Sequence, residues 1–339
     1  MKTNTFNLQS FLKVILLPVL ATLGGSNHSL ANNVDSCHWT LGEFIENYDS
    51  IGLPTKMDIK RLNKYILSLS GQSGVSVTQI GEPYGFPVYK IKIASKTQST
   101  DSPPMRVLLT SGVHGNEFLG VTAMMQVVES FLSNPRLRKN FELTAVVINP
   151  PALAKGERRV SSEKEFFDKK LNQSELETLG TDLNRTFFAS WPKPYDSIRQ
   201  SLVLDTYDFG IDLHGGPQKD SFFLIKGRED GAFTKKILKG IQEMPFLPSR
   251  SGLYPGYAGS TSTKPNAYRM LSPGESISQN EGTMKSWMMS LNVWWSGTFE
   301  YPGRMDPVYA HAGLYRMAIS AMWNARKFAP PEYRGHGKK

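Results

Sequence analysis

Cysteine is almost absent: Cys37 is the only one in 339 residues. No intrachain disulfide can form, and zinc sites built from thiolates are excluded. Apolar runs of membrane-spanning length are also missing. The N-terminal run 14–23 is too short to cross a bilayer, so no stable membrane insertion is expected once a leader is removed. No internal repeat, low-complexity linker or block of like charge interrupts the chain. The formal net charge of +9 is scattered, which reads as general solubility and carries no nucleic-acid signature. Apolar residues at 40% and charged residues at 20% are ordinary for a globular chain. They exclude long disorder and a multi-span membrane protein.

What is present begins with an address. Lys2 and Lys13 precede the apolar run, and Ser29-Leu30-Ala31 offers small residues at the two positions a signal peptidase reads. Residues 1–31 are expected to be a cleaved signal peptide, with Asn32 opening a mature chain in the periplasm or outside the cell. An uncleaved amphipathic anchor is the alternative. Residues 32–74 read as a helical lead-in, 75–330 as one α/β domain and 331–339 as a tail.

Within the domain, 75–80 and 87–94 are β-rich runs separated by Gly81-Glu82-Pro83-Tyr84-Gly85, a turn by composition, and form an edge hairpin. Short apolar runs at 107–110, 143–148, 209–213, 222–225 and 293–299 alternate with helical patterns at 119–132 and 233–241. A last helix, 308–328, ends before Pro330-Pro331. The alternation predicts a mixed, mostly parallel sheet with helices on both faces.

Five segments carry the chemistry: His114-Gly115-Asn116-Glu117, Arg158-Arg159, Asp182-Leu183-Asn184-Arg185, Asp212-Leu213-His214-Gly215 and Thr298-Phe299-Glu300-Tyr301. His114, Asn184, His214 and Glu300 fall at or just beyond the ends of predicted strands, where open α/β sheets bind ligands. Two His and one Glu around zinc leave a fourth position open for water, the catalytic rather than the structural arrangement. Two imidazoles and a carboxylate suit zinc among divalent metals. A lone His-x-x-Glu is weak; the ordered set is not. Asp212, two residues before His214, reads either as a group orienting that ligand or as a turn cap.

The ordered set His114/Glu117, Arg158, Asn184-Arg185, His214 and Glu300 resembles the zinc carboxypeptidase superfamily. That superfamily holds the carboxypeptidase A-type peptidases and the succinylglutamate desuccinylase/aspartoacylase group. The resemblance implies one Zn2+ held by His114, Glu117 and His214, with Glu300 as general base and proton shuttle. It implies further that Arg158 polarises the scissile carbonyl and that Asn184 and Arg185 hold a substrate carboxylate. A planar fork of donors beside a neutral amide suits a carboxylate. Sequence alone leaves open whether Arg158 or Arg159 points inward.

Two branches compete. Asn149-Pro150-Pro151-Ala152 through Gly156-Glu157-Arg158 resembles the desuccinylase/aspartoacylase group, whereas Gly282-Thr283-Met284-Lys285-Ser286-Trp287 is similar to the peptidases. With the secretory leader, the second reading is preferred: a periplasmic or secreted metallocarboxypeptidase or peptide amidase acting beside a free carboxylate. The alternatives are an N-acyl amino acid hydrolase and an inactive peptide-binding relative. In the peptidase comparison Lys285 lies at the base of the pocket for the terminal side chain, favouring an acidic group such as that of a cell-wall peptide. The other reading of Lys285 is a solvated helix lysine. The peptidases' substrate-capping Tyr is replaced here by Ser276, Ile277 and Ser278, with Tyr254 or Tyr257 as substitutes. Oligomeric state is not encoded in any motif.

Overall fold

The computed structural model describes residue 44 and residues 56–96, 103–158, 182–216, 222–227, 232–242, 282–302 and 307–333. The predicted signal peptide, Cys37, Arg159, Tyr254 and Tyr257 lie outside the described residues. Of the predicted lead-in, α1 (Ile59–Ser68) is helical, its start capped by the Asp58 carboxylate, which accepts from Arg61 N at 2.9 Å. Its apolar residues Ile59, Leu62 and Ile66 face the core.

The hairpin follows as β1 (Val75–Gly81) and β2 (Val88–Ile93), antiparallel and at one edge of the sheet. Its turn contains a short 3-10 segment in which Tyr84 and Gly85 have φ of 54° and 84°. The chain continues through β3 (Met105–Ser111), α2 (Phe118–Ser133), α3 (Pro135–Asn140), β4 (Phe141–Val147), α4 (Pro150–Lys155), α5 (Asp196–Val203), β5 (Phe209–Gly216), β6 (Phe223–Lys226), α6 (Ala232–Gln242), α7 (Met284–Ser290), β7 (Trp295–Pro302) and α8 (Pro307–Phe328).

The seven strands run in the order β1-β2-β4-β3-β5-β7-β6. The central four, β4-β3-β5-β7, are parallel, and the outer pairings are antiparallel. This is the mixed sheet the alternation predicted. β3 reads MRVLLTS and is buried almost throughout, as expected of a parallel strand covered on both faces. Val107, Leu109 and Ile211 pack on one side in a core with α2 and α8, while Leu108 and Val146 pack on the other with Trp191, Tyr195 and Trp287. Helices therefore cover both faces.

Three short helices, α3, α4 and α5, were not expected. They have six to eight residues, too few for an apolar period to declare itself, and two begin with Pro at the first turn. β5 and β7 run further than their apolar cores, so His214 and Glu300 lie within paired strands, in register with each other. No described helix is long and apolar enough to cross a membrane.

Candidate metal centre

At the end of β3, Gly112 turns the chain with φ +71°, a conformation that side chains with a Cβ rarely adopt. The loop that follows is strapped to its neighbours. Asn149 N donates to the Gly112 carbonyl at 3.1 Å and Asn149 Nδ2 to the Val113 carbonyl at 3.0 Å, while Tyr195 Oη donates to Asn149 Oδ1 at 2.8 Å. Gly115 N donates to the Glu157 carbonyl at 3.0 Å. A Cβ on Gly115 would sit 1.9 Å from the Ala152 carbonyl oxygen, so only glycine allows this approach. The loop thereby delivers His114 and Glu117, both 2% exposed, to the C-terminal edge of the sheet. Glu117 stands at the N-terminus of α2, where the helix dipole favours a carboxylate.

His214 arrives from β5 and its imidazole meets that of His114 edge to face, with ring centroids 5.0 Å apart. His114 Nδ1 lies 2.8 Å from Glu117 Oε1, and His214 Nδ1 lies 2.9 Å from Glu117 Oε2. Donor atoms of the three residues all fall within 4.8 Å of one another. The far nitrogens are occupied by carboxylates: His114 Nε2 is 2.9 Å from Asp182 Oδ1, and His214 Nε2 is 2.6 Å from Asp212 Oδ2. The second contact is close but off-line for a hydrogen bond, and both its atoms remain without an aligned partner.

These surroundings set the protonation. Burial opposes a charged His114, but the Glu117 charge and hydrogen bonds to Asp182 and Glu117 outweigh it and raise its pKa. His214 is raised further, against burial, by the charges of Asp212 and Glu117. Burial likewise opposes an ionised Glu117, yet the two imidazoles hold it at about 2. Asp182 is also held low, despite burial, by His114, Arg158 and Arg185.

The residues fit a divalent metal. Both Nε2 atoms face carboxylates, which leaves the Nδ1 atoms as the ligand ends, and Glu117 Oε2 is buried with no aligned hydrogen-bond partner. Carboxylate-backed imidazoles are the usual setting of histidine metal ligands.

Around this centre stand the other predicted residues. Arg158, 41% exposed in its side chain, lies 3.6 Å from Glu117 Oε1 and 3.3 Å from Asp182 Oδ2, so it reaches the site; Arg159 is outside the described residues. Asn184 accepts from Met284 N at 3.0 Å through Oδ1, leaving its amide NH2 as the end for a ligand. Arg185 is exposed and donates to the Asn184 carbonyl at 2.7 Å. Glu300 is half-buried and directly opposite His214 in the β5–β7 ladder. Lys285, in the first turn of α7, is only 3% exposed, which overturns the solvated-lysine reading; burial lowers its pKa to about 8. His311 is buried in α8, its Nδ1 2.9 Å from Thr122 Oγ1.

One residue was quoted in a motif but given no role. Asp182 meets His114, the Arg158 guanidinium and its own Asn184 N–H, joining a candidate metal ligand to the candidate substrate groups. Its signal was its place two residues before Asn184, which alone does not distinguish it from a turn cap.

Residues 103–234 match the family model of the succinylglutamate desuccinylase/aspartoacylase catalytic domain. Comparison with curated proteins found no match. Among solved structures, a metallo-carboxypeptidase from Burkholderia cenocepacia superposes with TM-score 0.54 at 13% identity, covering 80% of this chain and 69% of that one. A metallo-carboxypeptidase from Pseudomonas aeruginosa, in complex with (2-guanidinoethylmercapto)succinic acid, gives 0.55 at 14% identity over 79% and 68%. Thrombin activatable fibrinolysis inhibitor gives 0.56 at 15% over 80% and 73%. The matched segment spans β3 to the start of α6, and the structural likeness extends across most of the chain.

Proposed function

We propose, taking this zinc carboxypeptidase-like fold as the premise, that the chain is a zinc-dependent hydrolase that cuts an amide bond beside a carboxylate-bearing residue. The observation that carries the reading is the convergence of His114, Glu117 and His214 with Glu300 in register beside them and Arg158 at the rim. His114, Glu117 and His214 would hold the ion. When bound, zinc supplies a Lewis acid that polarises a carbonyl and makes water acidic enough to attack near neutral pH.

The chain's own groups do the rest. Glu300 accepts the proton of the attacking water and returns it to the leaving nitrogen, a role typically worth ~10²–10⁴-fold. Arg158 offers a cation to the oxyanion that develops on the carbonyl. Asn184 and Arg185 hold the substrate carboxylate. Hydrogen bonding of Met284 N to Asn184 fixes the start of α7 to this clamp, and Lys285 follows in the same turn. A buried ammonium there favours an acidic terminal side chain, as in a C-terminal Glu or a cell-wall peptide. That preference should fade as pH rises through about 8, where Lys285 loses its charge.

A peptidase acting in the periplasm or outside the cell agrees with the leader that the sequence predicts. The match over 103–234 favours a second reading, hydrolysis of N-acyl amino acids. The test is mass spectrometry of muropeptides, C-terminally acidic peptides and N-acyl amino acids incubated with the zinc-loaded protein, with E300Q as control. Loss of one C-terminal residue with wild type alone supports the carboxypeptidase, and cleavage of the N-acyl amino acids alone, to a free carboxylic acid and an amino acid, supports the second reading. No cleavage of any substrate by a zinc-loaded protein would contradict both.

A further inference from the structure

Asp212 is 0% exposed in the middle of a parallel sheet, a position where an ionisable side chain is costly unless its oxygens are used. Both oxygens have a neighbour. Thr110, its register partner on β3, is itself 0% exposed and donates Oγ1–H to Asp212 Oδ1 at 2.7 Å. Asp212 Oδ2 lies 2.6 Å from His214 Nε2, two residues along the same strand and on the same face, a charge contact that favours a proton on Nε2 although the two atoms are not aligned as a hydrogen bond. The hydroxyl fixes the carboxylate's rotamer, and the carboxylate then fixes which imidazole nitrogen carries the proton. We propose that Thr110 and Asp212 are positioning residues for His214: they hold a proton on Nε2 and so leave Nδ1 as the end that meets a metal beside Glu117.

The proposal rests on the metal-centre reading, and it adds a residue on a third strand that touches neither ligand nor substrate. It makes the sheet register part of the metal affinity. The alternative, a buried Asp that only ties β3 to β5, predicts effects on stability with none on metal binding.

The test is the zinc affinity of the full chain, measured by competition with a chromogenic chelator, together with the visible spectrum of the cobalt-loaded protein. Asp212→Asn should bind zinc ~10–100-fold more weakly, the usual cost of removing a carboxylate behind a ligating histidine. Thr110→Val should shift affinity in the same direction by less, with a changed cobalt spectrum, and Thr110→Ser should restore both. Wild-type affinity in D212N and T110V, alongside a zinc-binding defect in H214A, would overturn the proposal. Should D212N not fold, the contrast between T110V and T110S decides alone. Absence of tight zinc binding by wild type would instead overturn the metal reading beneath it.

Discussion

Asp212, His214 and Glu300 stand on adjacent parallel strands, whereas His114, Glu117, Arg158 and Asp182 come from connecting segments, and the two groups are held in place differently. In the first, backbone pairing does the work: Thr110, Asp212 and Thr298 share one rung, and His214 and Glu300 another. In the second, no ladder exists. Position depends on side chains gripping backbone, as Asn149 grips Val113, and on Asp182 serving three partners at once. The strands thus hold a candidate ligand and the proposed proton carrier in fixed relation, while the loops link the other candidate ligands to groups that would meet substrate. Damage to the strand set should be confined to one function, and damage to the loop set should spread.

The largest expected effect tests the strand set. E300Q should lower turnover by ~10²–10⁴-fold with zinc content and substrate affinity unchanged, since it removes only the proton carrier. Loss of zinc in that variant, read by metal analysis, would break the separation. D182N tests the loop set. Weaker zinc binding by ~10–100-fold should come with a raised KM, because the carboxylate that meets His114 through Oδ1 also holds Arg158 through Oδ2, and the amide loses that charge. A KM change confined to D182N and absent from D212N would sharpen the contrast.

The pH profile of the metal-free protein reports both sets together. His114 and His214 have raised pKa values, so their contribution to stability is complete below about 6.5 and lost as pH climbs through the raised values. Glu117 is lowered, so its contribution is complete above about 4.5 and lost as pH falls toward 2. Thermal melts without zinc should therefore be highest between those limits. Zinc displaces the protons and should move the maximum upward, with a stabilisation that grows with pH. Superimposable profiles with and without zinc would contradict this. The smallest effect concerns the strap: Y195F leaves Asn149 Oδ1 short of a donor and should cost ~0.5–1.5 kcal/mol in denaturant unfolding, without changing the E300Q result.

Much of this was legible from residue order because strand ends announce themselves. The apolar runs at 209–213 and 293–299 place His214 and Glu300 at one sheet edge, and the register that sets them side by side follows from parallel pairing. Lys285 was harder. Its neighbours on α7 include Met284, Trp287 and Met288, and a seven-residue helix does not tell a solvated face from a buried one until it is docked. Asp182 was least legible. Its partners His114 and Arg158 lie 68 and 24 positions away, and only folding brings them to one carboxylate.

The central claim is that His114, Glu117 and His214 bind one zinc ion through the two Nδ1 atoms and the Glu117 carboxylate. Anomalous diffraction at the zinc edge from crystals of the zinc-loaded protein tests it most directly. The account predicts a single peak about 2.0–2.2 Å from those three donors. A peak ligated elsewhere, or none at this site in a zinc-saturated crystal, would contradict it.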